Sequence, residues 1–193
     1  MKKLFKLIVL VFFVSVVYAN NNNHTSKYIG QENRKIKSLS IDDINELKKG
    51  AGWGLAKAAE LNGYPGPVHI LQMKDKINLT KQQEEKIENI YKSMKEEAII
   101  LGTKLIDFEK QLNDKFSNKT ISQNDLEQIV SNIEKIRAKL RVVHLATHLK
   151  TPEVLSLEQI DLYNKLRGYS KNPCLNIPEG HDITMWKKHN GCK

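Results

Sequence analysis

The chain has 193 residues, with 31 Lys and Arg against 22 Asp and Glu, for a formal net charge of +9. Basic and acidic residues are mixed along the chain rather than gathered into a block, and no nucleic-acid motif accompanies them, so the charge describes a solvated surface and leaves no case for a nucleic-acid binder. No glycine-rich phosphate loop, nucleophile elbow or Ser, His and Asp arrangement is legible, so the sequence offers no catalytic constellation and the chain is expected not to be an enzyme.

Lys2, Lys3 and Lys6 precede an apolar run over 7–17, and Val17-Tyr18-Ala19 provides the small-residue pattern of a cleavage site. Residues 1–19 are therefore expected to be a cleaved signal peptide, since the run is shorter than the roughly 20 apolar residues a membrane span needs. Residues 20–39 are rich in Asn, Ser, Lys and Gln and are expected to be disordered. Over 40–66 come short helices and a glycine-rich linker: Ser40 caps a helix carrying Ile41, Ile44 and Leu47, Gly50 stops it, and an alanine-rich stretch over 55–61 makes two turns. The segment 50–54 suggests no element of its own.

Pro67 opens the next helix, on which His69, Ile70, Met73 and Ile77 recur up to Asn78. Leu79-Thr80-Lys81-Gln82-Gln83 then forms a capping box, the Thr80 hydroxyl accepting from the Gln83 N–H while the Gln83 side chain accepts from the Thr80 N–H. Behind it, Ile87, Tyr91, Met94, Ala98, Leu101, Leu105, Phe108 and Leu112 form an apolar stripe at alternating steps of four and three, the signature of one helix packing along another. After a turn at Ser117-Asn118-Lys119-Thr120, a second stripe of Leu126, Ile129, Ile133, Ile136, Leu140 and Val143 answers it. Two helices of roughly 30 residues, each about 45 Å long, make a hairpin too thin to bury its own seam. The second helix stops near Lys150, before Thr151-Pro152. Leu155-Ser156-Leu157-Glu158-Gln159 repeats the box, with Leu155 able to staple Ile160, and opens a helix that Gly168 ends. The fold class is all-α: a long antiparallel helical hairpin with short flanking helices.

A leader, a long helical hairpin and two Leu-Thr/Ser-x-x-Gln motifs at its feet resemble the Spy/CpxP family of periplasmic proteins, whose signature is LTxxQ. The likeness covers about 66–167, and the second copy departs only in carrying Ser156 for Thr, which keeps the capping hydroxyl. The resemblance implies a helical domain over 67–168, a cradle-shaped homodimer in the periplasm, a role in envelope stress, and either nucleotide-independent holding of non-native periplasmic proteins or heavy-metal sensing and resistance. It also admits a membrane-bound signalling partner. The holding activity is the expected function and metal binding the alternative.

Three sets of side chains carry candidate chemistry. His144 and His148, four apart on the second long helix, present both imidazoles to one side, with Met94 opposite them across the hairpin and the His69 and Met73 pair near its feet. Copper or nickel would suit His with Met, cobalt is a further candidate, and zinc would suit His with Cys. No cofactor is required by the sequence, and the alternative is that these histidines are surface or interface residues. In the tail, 169–193, Cys174 and Cys192 are expected to form a disulfide, the rival being metal ligation with His181, Met185 and His189. The third set is the hairpin's own surface, where apolar side chains beside Lys104, Lys135, Lys139 and Arg141 would hold a non-native chain or else fill a dimer core.

Overall fold

The computed structural model describes residues 25–169, 174 and 177–192; the expected leader and residues 20–24 lie outside them. Among the described residues, seven helices follow a 3-10 turn at Gln31–Asn33: α1 (Ile41–Lys49), α2 (Lys57–Glu60), α3 (Pro67–Gln72), α4 (Lys81–Ser117), α5 (Gln123–Lys150), α6 (Leu157–Leu166) and α7 (Ile183–His189). There is no strand among the described residues, and none of their helices is long and apolar enough to cross a membrane.

The hairpin of α4 and α5 is built as its two stripes demand. Ile87, Met94, Ala98, Leu101 and Leu105 from α4, and Ile129, Ile133 and Leu140 from α5, are buried. The turn between the helices takes the left-handed backbone at Lys119 (φ 56°), and α5 restarts on a further capping box, Ser122 with Asp125. α5 ends at Lys150 as expected, but for another reason: Thr151 keeps helical dihedrals (φ −66°, ψ −38°). The helix stops because Pro152 has no N–H to continue the ladder. α3 also stops earlier than its spacing suggests, at Gln72, after which turns carry the chain to Asn78. The alanine-rich stretch makes one turn of α2, not two.

α4 has a second stripe that the sequence conceals. Gly102, Ile106 and Glu109 are buried a third of a turn or so from the α5 contact, under α1 and the segment before it. A Cβ on Gly102 would collide with the backbone carbonyl of Leu47, so α1 crosses α4 at a notch only glycine provides. Further along, Glu109 accepts from Ser38 Oγ (2.7 Å) and pairs with Arg137 of α5 (3.1 Å), while Asn113 bonds Lys35 O and Lys37 N. Ile36, Leu39 and Leu47 join the same core as the hairpin seam.

Two expectations are therefore corrected. The described part of 20–39 is docked rather than disordered at its end, because Ile36 and Leu39 are each only 3 % exposed. The seam also needs no second copy to cover it on this side, because 36–55 supplies the cover from the same chain.

The two Leu-Thr/Ser-x-x-Gln motifs meet. Each Gln Oε1 accepts from its own cap N–H, Thr80 at 3.0 Å and Ser156 at 2.9 Å, which leaves the amide nitrogen free to donate. Gln83 Nε2 donates to Gln159 Oε1 and Val154 O, and Gln159 Nε2 donates to Gln83 Oε1, Ile77 O and Asn78 O. A glutamate would complete either box but could not donate across, so the pairing gives a physical reason for Gln at both places. Around this clasp Ile70, Ile77, Ile87, Leu155 and Tyr163 form a second apolar core, with Ile160 packed on it beside Leu155.

Candidate functional site

Beside the clasp, a cleft of about 670 Å³ opens between the 50–54 loop, α2, the start of α3, and the facing parts of α4 and α5. His69, Met94, His144 and His148 all line it, which brings four of the five candidate ligands to one place. Met73 does not join them; it packs on the second core. Among the described residues no three His, Cys, Asp or Glu side chains form a group disposed to hold a metal ion.

The floor is set by α5. His144, Thr147 and His148 are all buried, and His148 Nδ1 donates to Tyr64 O (2.8 Å), which places the proton of the neutral ring on Nδ1. Thr151 Oγ1 donates to Pro65 O, and Gly66 N donates to Tyr163 Oη (3.4 Å), so the Tyr64-Pro65-Gly66 turn is strapped to α5 and α6. The strap passes so close that a Cβ on Gly66 would lie 2.9 Å from His148 Cε1. His144 Nε2, by contrast, is buried with no hydrogen-bond partner.

Burial first, and the neighbouring His148 second, hold the His144 pKa below the ordinary histidine value of 6.5. The unfolded chain therefore binds a proton at this residue more readily than the folded one does, and stability falls as pH drops below about 6.5. The expected slope is at most ~1.4 kcal/mol per pH unit for one proton, and His144→Leu should flatten it. Thermal unfolding followed from pH 7.5 to 5 checks this; a parent and variant with parallel curves would refute it.

One end of the cleft is held by Glu60. Its carboxylate accepts from Arg167 Nη2 (2.5 Å), Tyr169 Oη (2.8 Å) and Tyr163 Oη (3.3 Å), with His69 Nε2 at 3.9 Å. Burial works against its charge, but the Tyr169 hydrogen bond and the Arg167 guanidinium outweigh it and hold the carboxyl below the usual glutamate range. Nothing in the local sequence marks this group, because Glu60 and its partners Tyr163, Arg167 and Tyr169 are separated by about a hundred residues.

The 50–54 loop, which suggests no element in the sequence, forms the opposite wall. Gly50 ends α1 in the left-handed region (φ 61°), and a Cβ there would meet Lys95 O at 2.8 Å. The loop presents Trp53, whose indole N–H donates to Asp43 (2.8 Å) and whose ring carries the Arg137 guanidinium at 5.2 Å.

A second candidate lies on the other side of the hairpin. At 100° per residue, Lys104, Asp107, Phe108 and Gln111 lie on average about half a turn from Gly102, Ile106 and Glu109. Together with Asn132, Lys135, Ile136 and Lys139 of α5, these four line a groove of about 520 Å³. Three of the four basic residues singled out from the sequence thus share one groove; Arg141 lies elsewhere, with Leu55 and Lys57. Ile100, 56 % exposed and one turn before Lys104, extends the α4 side of this face toward the clasp. In the tail, Cys174 and Cys192 form a disulfide, which removes the thiolates a zinc site would use.

No family model matches this chain, and no curated protein and no solved structure matches it.

Proposed function

We propose that this chain is an exported periplasmic protein of Spy/CpxP type, without enzymatic activity, that holds non-native proteins without nucleotide on the uncovered face of its hairpin. The observation that carries the reading is the asymmetry of α4 and α5. One face is sealed by 36–55, whereas the other offers the apolar floor of Phe108 and Ile136 between Lys104, Lys135 and Lys139. Apolar contact with a lysine border suits weak, unspecific capture of unfolded segments. In an isologous dimer through this face, three lysines against the one Asp107 of each copy would leave two net-positive surfaces opposed, so we assign it to clients rather than to a second copy.

Ile100→Glu with Lys139→Glu tests the reading, since both side chains are exposed and the fold does not depend on them. The intact chain should suppress light scattering by a urea-denatured reporter protein diluted into buffer. The double variant should lose more than half of that suppression at equal concentration, with unchanged helical circular dichroism. Equal suppression by both proteins would remove the client face from this surface.

A further inference from the structure

The foot cleft is separate from the client-holding face, and its chemistry points elsewhere. Its volume falls within the ~300–1,000 Å³ common for small-molecule sites, and Trp53, Tyr91, Met94 and Val68 supply apolar and aromatic wall. Its charge is one-sided. Glu60, the acid in the lining, is already matched by Arg167, whereas Lys49, Lys57 and Lys95 at the rim make no ion pair among the described residues. Lys95 lies over the Tyr91 ring, 5.6 Å from its centre, which keeps its ammonium beside the aromatic wall. A bare divalent cation entering here would face three unmatched positive charges, and an uncharged ligand would leave them unused. An anion answers them. At the floor, the buried and unpartnered Nε2 of His144 is a polar atom of the kind that a ligand or its water ordinarily satisfies.

We propose that this cleft binds a small amphiphile bearing a carboxylate, its apolar body against Trp53, Tyr91 and Met94 and its acid group among Lys49, Lys57 and Lys95. The chain has two tryptophans, so the disulfide-bonded protein from residue 20 carrying Trp186→Phe reports on Trp53 alone. Decanoate, titrated below its micellar concentration, should change Trp53 emission saturably. It should bind at least ~10-fold more tightly than decanol or decyltrimethylammonium, a difference that added salt reduces. Lys57→Gln with Lys95→Gln should weaken decanoate at least ~10-fold while leaving decanol unchanged.

If circular dichroism shows that double variant to be unfolded, the salt series on the parent decides, and decanoate binding indifferent to salt overturns the proposal. No saturable change with decanoate, or equal affinity for all three amphiphiles, also overturns it. Copper, nickel, cobalt and zinc titrated singly form the last arm. A metal ion that moves the Trp53 signal where decanoate does not would make the cleft an ion site built on His69, Met94, His144 and His148 and would overturn the carboxylate assignment.

Discussion

Gly102→Ala is expected to destabilise the protein by about 2 kcal/mol, although alanine is the better helix former by ~1 kcal/mol. The collision decides the sign. The added methyl group would press on the Leu47 carbonyl, a backbone atom that cannot rotate aside, and α1 would have to lift from α4. Leu47 is 2 % exposed, and uncovering an aliphatic side chain of this size costs roughly 1.5–3 kcal/mol. Gly52→Ala is the control: nothing lies within 4 Å of a Cβ there, and its stability should stay within about 0.5 kcal/mol of the parent. Denaturant unfolding of the three proteins reads the effect. A Gly102 variant as stable as the parent would mean that α1 does not seat where the notch places it.

The clasp between the feet should give the second large effect. Gln83→Ala removes the acceptor for the Thr80 N–H and the donor for Val154 O and Gln159, and Gln159→Ala does the equivalent at the other foot. Each change should cost about 2 kcal/mol, because part-buried polar groups lose partners. The double change should cost less than the sum, by about 1–2 kcal/mol of coupling. Gln83→Glu is diagnostic: it preserves the box and still accepts from Gln159 Nε2, yet cannot donate to Val154 O or Gln159 Oε1, so it should weaken the coupling while α4 still starts at Lys81. Strict additivity of the two alanine changes would show that the motifs act as separate caps.

These two predictions mark what could and could not be read from the residue order. The hairpin was legible because its stripes are long and apolar, and each capping box because its two members lie three residues apart. That the boxes meet was not, since the pairing of Gln83 with Gln159 joins positions far apart in the chain. The second stripe of α4 was hidden by its own composition: Lys95, Gly102, Glu109 and Asn113 look like a solvated face until 36–55 lies over them. Ile36 and Leu39 are two apolar residues in a polar stretch, with no period to announce them. For the candidate site, the i and i+4 histidines and the facing Met94 were foreseeable from helical geometry. Glu60, Arg167, Tyr169 and the Trp53 loop were not, because they reach the cleft through turns whose course no spacing rule gives.

The cover over the hairpin also dictates an order of assembly. Translation delivers residues 36–55 before any of α4 exists, and the groups they dock on, from Met94 to Asn113, are made about 50 to 80 positions later. Early in synthesis Ile36, Leu39 and Leu47 therefore have no seat, and the nascent chain must wait for the two rods to close before its own beginning can settle. Last to arrive, this strap should be first to leave: amide hydrogens of α1 should exchange faster than those at the centre of α4, through partial openings that leave the hairpin intact.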